Sequence, residues 1–175
     1  HRVDRRQRQM CIRDSSTPEQ QIEVFEAQLA LATGLNKPVY LHERDAFPTQ
    51  ISLLKNHPGL SGIAHCFTGD SSQLKAYLDL GLYIGITGWL CDTKRGQSLI
   101  DAVRYLPLDR LVLETDAPFL LPKTMAPKPK SSRNEPAYLP AIAAQFADMT
   151  GHSLDEIALH SRRNSLTLFQ ITADE

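Results

Sequence analysis

The sequence predicts an α/β fold built on a parallel sheet, and three observations carry that expectation. Four short apolar runs, "PVYLH", "GIAHCF", "LYIGITG" and "RLVLETD", alternate with stretches of helical period. The runs are apolar on both faces, as strands are when a parallel sheet is covered by helices. Each is separated from the next by enough chain for a right-handed crossover. Two architectures satisfy the pattern: an open doubly wound sheet, or part of a (β/α)8 barrel. A whole barrel takes about 250 residues. The chain has 175, so a barrel reading puts only about half of one here.

Composition bounds the rest. Hydrophobic residues make up 42 % and charged residues 22 %, the balance of an ordinary soluble globule of one domain. The net charge of −1 supplies no global field for nucleic acid, so any polyanion site must be local. Cys11, Cys66 and Cys91 are an odd count without metal-type spacing, which fits a reducing cytoplasm. No apolar run reaches the roughly 20 residues of a membrane span, and no signal peptide is visible. A cytoplasmic protein without membrane contact is expected.

The elements follow in order. Residues 1–16 carry five arginines without a helix or strand period, and read as a disordered tail or, more sharply, a basic nucleic-acid arm. The ordered domain is expected over 17–175. "TPEQ" opens a helix, with Thr17 as N-cap, Pro18 at the first position and Gln20 closing a capping box. Gly34 is expected to stop it. After "PVYLH" comes a helix around Ile51 and Leu54, closed by "HPG". After "GIAHCF" comes "SSQLKAYLDLG", with Ser71 or Ser72 as cap. "LYIGITG" leads to "GQSLIDAVRYL", and "RLVLETD" to a long proline-rich loop ending in a helix start at Pro136. Leu139, Ile142, Phe146 and Met149 mark the next helix, stopped by Gly151. Ser153 and Glu156 form a second capping box for the last one.

Chemistry concentrates at strand ends. In parallel α/β folds the site lies at the carboxyl ends of the strands, where His42, His65 and Asp116 all stand. Two imidazoles and a carboxylate suit Zn, Mn or Fe, and carboxylate-rich sites also suit Mg. His42 and His65 are therefore expected to approach each other at the mouth of the fold, joined by Asp116. Glu114, two residues before Asp116, shares its side of the strand. It lies a layer deeper, or packs with an arginine. Arg44 and Asp45 follow His42; Asp45 either orients an imidazole or caps the next helix. Lys123, Lys128, Lys130 and Arg133 in the rim loop form a solvated face or a phosphate clamp, with Arg133 expected nearest the site. His57 and His152 read as surface residues.

Five stretches together resemble the TatD family of metal-dependent deoxyribonucleases: "LHERD", "HCFTG", "IGITGWLCDTKRG", "LETDAPFLLP" and "SSRNEPAYLP". The resemblance covers about Arg13 to Ile171. It implies a TIM-type (β/α)8 barrel of which strands five to eight are present, and divalent metal, usually Mg or Mn, with Zn also compatible. It implies 3′ to 5′ exonuclease hydrolysis of single-stranded DNA and of RNA. On the family's pattern His42, His65 and Asp116 are metal-binding, and Asp116 is catalytic. Arg44, Lys128, Lys130 and Arg133 would contact substrate, while Asp45 and Glu114 would stand behind the ligands. The family's upstream Glu-bearing strand has no match in residues 1–16, which suggests foreign sequence before a truncated gene. Glu43 stands where the family often has Cys.

The alternatives are an amidohydrolase-like enzyme cleaving C–N or ester bonds, and an inactive half-barrel. In a half-barrel the outer strands, "PVYLH" and "RLVLETD", would present unpaired edges, which template edge-to-edge self-association.

Overall fold

The computed structural model describes residues 16–172; the N-terminal segment, with His1 and Cys11, lies outside them. The described elements are α1 (Pro18–Leu35), β1 (Val39–His42), α2 (Phe47–Lys55), β2 (Gly62–His65), α3 (Ser71–Asp79), β3 (Tyr83–Ile86), α4 (Gln97–Val103), β4 (Leu111–Leu113), α5 (Leu139–Thr150) and α6 (Leu154–Phe169). Short 3-10 turns cover Gly88–Cys91, Leu108–Arg110 and Pro136–Tyr138.

Most helix ends fall where local chemistry puts them. Thr17 and Gln20 form the expected capping box, as do Ser153 and Glu156, and Gly151 stops α5 at φ 80°. Three ends differ. Helix α1 runs past Gly34 and stops at Asn36, whose φ of 49° is left-handed and whose N–H reaches the Ala32 and Thr33 carbonyls. Asparagine tolerates that conformation, so the helix gains two residues. Helix α3 is capped by Asp70 rather than Ser71 or Ser72. The Asp70 carboxylate accepts from the Ser72 and Gln73 N–H groups, and its charge also faces the positive end of the helix dipole, which a hydroxyl does not offset. At Pro136 a 3-10 turn comes first and the α-helix starts at Leu139.

The sheet is parallel throughout, in the order β1-β2-β3-β4. Neighbours in sequence are neighbours in space, so among the described residues there is no reversal of strand order of the kind a doubly wound sheet requires. Strand period two divides the side chains. Leu41, Ala64, Ile84, Ile86 and Leu111 join the main core with Leu29, Leu54, Leu74, Tyr77, Leu99, Phe146 and Ile157 from all six helices. The other face carries Ile63, Tyr83 and Val112, packed with Leu168 from the end of α6. Tyr40, His42, His65, Gly85 and Glu114 continue this second face toward the carboxyl ends.

The two sheet edges are not alike. The sequence suggested open edges on both outer strands. On β4, however, the Leu113 N–H donates to the Ser161 hydroxyl (2.9 Å), and the Asn164 amide donates to the Leu108 and Leu111 carbonyls (2.8 and 2.7 Å). Ser161 and Asn164 are buried side chains of α6, so this helix closes the edge with polar groups where a fifth strand would pair. On β1, Gln50 donates to the His42 carbonyl (3.2 Å) while accepting from the Tyr77 hydroxyl.

Candidate active site

Register sets His42 beside His65 at the ends of β1 and β2. Their ring centroids are 6.0 Å apart, tilted by 38°. Glu114, just beyond β4, reaches across β3 to His65. Its Oε2 lies 3.1 Å from His65 Nδ1 and accepts from the Cys66 N–H at 3.0 Å. Its other oxygen accepts from the Tyr40 hydroxyl. This crossing depends on Gly85, because a Cβ there would overlap the Glu114 carboxylate. The partner of Glu114 is thus a histidine, not the arginine considered from sequence.

Asp116 stands on the opposite side of the His65 ring, its Oδ1 3.5 Å from Nε2. It is one-third exposed and sits at φ 53°. The loop beyond it is fixed by Asn134, which is buried. The Asn134 amide donates to the carbonyls of Thr115, Phe119 and Leu120, and its oxygen accepts from the Glu135 N–H.

The electrostatics follow from this packing. Burial works to lower the His65 pKa, but hydrogen bonds to Asp116 and Glu114, with their charges, outweigh it and raise the value to about 9. Burial, and then the neighbouring His65 charge, hold His42 below its ordinary value. The Arg44 charge adds to that repulsion. Burial, then the bond to Glu114, push the Tyr40 hydroxyl up. Burial also raises the Cys66 thiol, to about 11, so Cys66 stays a neutral thiol beside Thr87 (3.1 Å).

A cavity of about 570 Å³ opens over these groups, lined by Tyr40, His65, Glu114, Asp116, Leu139 and Phe169 among others. The rim loop does not converge on it. Lys128 and Lys130 line a second cavity. Arg133 is exposed, with its N–H on the Ser131 hydroxyl, and among the described residues it borders neither. Its neighbour Asn134 is the residue turned toward Asp116. Asp45 is not the cap of α2. That helix begins after Ala46, whose N–H is taken by the Glu43 carboxylate at 2.6 Å, while Asp45 occupies the turn at φ 57°. His57 is half-buried rather than fully exposed, 3.5 Å from the Thr33 hydroxyl.

Sequence reasoning missed Tyr40, Gly85 and Asn134. Tyr40 lies two residues before His42, so strand period already put it on the same face, and its ring centroid is 4.7 Å from that of His65. A glycine inside a strand is a general sign of close approach. No such signal marks Asn134.

The donor kinds fit a borderline divalent cation. His65 Nε2 and Asp116 Oδ1 are two acceptors aimed at one another, an arrangement that needs a proton or a cation between them. Among the described residues, no three His, Cys, Asp or Glu side chains are gathered tightly enough to hold a metal ion by themselves.

The profile of the family described as TatD related DNase matches residues 8–170. A 3′-5′ ssDNA/RNA exonuclease TatD of Erwinia amylovora is 50 % identical over 159 residues, covering 90 % of this chain and 61 % of that protein. The protein of the same name from Edwardsiella piscicida is 49 % identical, with 91 % and 62 % covered. Among solved structures, the TatD homologue YJJV of Escherichia coli superposes with a TM-score of 0.74 at 29 % identity, covering 90 % of this chain and 61 % of that one. A TatD family hydrolase of Entamoeba histolytica shares the fold, with a TM-score of 0.76 at 24 % identity. The chain spans about three-fifths of the length of the curated relatives it matches.

Proposed function

Because the chain belongs to the TatD related DNase family, we propose that it hydrolyses phosphodiester bonds of single-stranded nucleic acid, DNA and also RNA, from the 3′ end. The observation that carries the reading is His65 held between two carboxylates, with Glu114 on Nδ1 and Asp116 facing Nε2 at the mouth of a cavity. Glu114 fixes the ring, so Nε2 is the nitrogen presented to the cavity. Asp116 is the exposed member of the pair and the group placed to take a proton from water at Oδ1.

His65 and Asp116, with His42 on the neighbouring strand, are the donors this chain would contribute to a divalent cation, Mg or Mn before Zn, whose coordination would need further ligands. Such an ion supplies Lewis acidity toward a phosphoryl oxygen and water. Arg44 beside His42, together with Lys128, Lys130 and Arg133 on the rim, would meet substrate phosphates. Glu114 would position His65 from behind, and Asp45 would support His42 from the turn that follows it. The sequential strand order, with one face of the sheet given to the helices and the other to the site, favours an arc of a (β/α)8 barrel as the setting, within a domain over 17–175. Cys66 and Cys91 are free thiols, in keeping with a cytoplasmic location. Among the described residues, no helix is long and apolar enough to cross a membrane.

Digestion of single-stranded oligonucleotides labelled at either end, with Mg²⁺, Mn²⁺ or EDTA, tests the reading. The expected result is metal-dependent shortening from the 3′ end, reduced about 100-fold or more in Asp116→Asn. A folded chain that shortens no strand under any of these conditions overturns it.

A further inference from the structure

We propose that the second cavity is a subsite for backbone phosphates of single-stranded nucleic acid, and that Asp92 is the residue positioning its Lys123. The inference rests on the nuclease reading and gives its rim lysines a binding site distinct from the cavity over His65. The cavity measures about 340 Å³, and its polar lining is Lys123, Lys128, Lys130, Ser131 and Ser132. It shares no lining residue with the cavity over His65. Three lysines and two serines, with no acidic residue in the lining, surround this cavity within a chain whose net charge is −1. Lysine is a point charge with three donors, and serine hydroxyls donate to the same oxygens.

Lys123 is not simply a mobile surface lysine. Its Nζ lies 2.7 Å from Oδ2 of Asp92, and Asp92 is only 4 % exposed. The same oxygen accepts from Arg95 at 2.7 Å, and the Arg95 guanidinium lies 4.7 Å from the centre of the Trp89 ring. Hydrogen bonds from Lys123, then Arg95, hold the Asp92 carboxyl down to about 2, so it keeps its charge at any working pH. One buried carboxylate between two cations leaves a positive surplus and fixes where it sits.

The ground beneath the cavity is built. A Cβ on Gly88 would collide with the Leu120 carbonyl, so the turn after β3 and the loop after β4 pack backbone against backbone. Thr124 also lies beside Cys91 across the same seam. Both segments leave the carboxyl ends of adjacent strands, the end at which His65 and Asp116 lie. A nucleotide chain seated at the first cavity can therefore run over the second.

The test is the salt dependence of binding, read by fluorescence anisotropy of a labelled oligodeoxythymidylate in EDTA. Lys123→Ala and Lys128→Ala should each weaken binding several-fold and flatten the slope of log K against log salt by about 0.7, the value for one phosphate contact on a single strand. Lys123→Arg should keep the slope. Asp92→Asn separates two roles. Loss of a negative charge alone would tighten binding to an anion, whereas loss of a positioning residue weakens it and leaves Lys123→Ala little further effect. Unchanged slopes in both lysine variants overturn the site, and tighter binding by Asp92→Asn overturns the positioning role. Should Asp92→Asn fail to fold, Lys123→Ala and Lys123→Arg decide, since the Lys123 side chain is 58 % exposed. Binding in EDTA needs no hydrolysis, so failure of the nuclease reading leaves these curves readable.

Discussion

His65 carries a carboxylate on each ring nitrogen, and this arrangement has a pH signature. Its pKa in the fold is about 9 against an ordinary 6.5. A group raised in this way stabilises the fold fully below about pH 6.5, and the contribution is lost as pH climbs toward 9. In EDTA, urea denaturation should show stability falling by up to about 3 kcal/mol from this group across that window. A flat profile between pH 6.5 and 9 would show that the proton is not shared. Gly85→Ala tests the same cluster from beneath. The added methyl meets the Glu114 carboxylate, so the variant should lose about 1–3 kcal/mol, and the NMR titration midpoint of His65 should drop toward its ordinary value. At this scale the sequence was informative about residue kind and strand position. His42, His65 and Asp116 could be chosen because each ends an apolar run. Arg133 and Asn134 could not be told apart, because which of two adjacent loop residues turns inward depends on backbone geometry that no period encodes.

At the scale of elements, polar side chains do what backbone pairing does elsewhere. Asn134 bonds three carbonyls of the loop beyond Asp116. Asn134→Ala takes the donor from three part-buried acceptors and should cost about 1 kcal/mol, with faster proteolytic cleavage in the 117–133 segment as the local readout. Ser161→Ala strands the Leu113 N–H and should cost a similar amount, measured by thermal denaturation. Helix starts were legible where a hydroxyl residue opens the capping box, at Thr17 and Ser153. They slipped where an acidic residue competes with nearby serines, as at Asp70, and where proline begins a tighter turn first, as at Pro136.

For the whole molecule, the parallel sheet was legible and its curvature class was not. Both faces of each strand are apolar, so period two is silent and nothing in the pattern says which side the helices take. The structure puts the helices on one face and leaves the other to Leu168 and the site. Several large apolar side chains face solvent, among them Val24, Leu31 and Leu35 on α1, Tyr40 on β1, and Phe169 and Ile171 at the end of α6. Exposed groups of this kind favour association, and among the described residues Val24, Leu31, Leu35 and Tyr40 lie on the side of β1 and α1. Sedimentation velocity should show concentration-dependent self-association, reduced by Leu31→Lys with Leu35→Lys. A monomer at all concentrations would show these residues to be harmless.

The closure of β4 also has an order in time. Each crossover joins adjacent strands, so the sheet can grow as the chain leaves the ribosome, one strand laid on the last. Strand β4 is complete at Leu113, but Ser161 and Asn164, which cover its edge, emerge some fifty residues later. In that interval the nascent sheet carries an exposed edge, and any stall or cleavage before α6 releases a chain with that edge still uncovered.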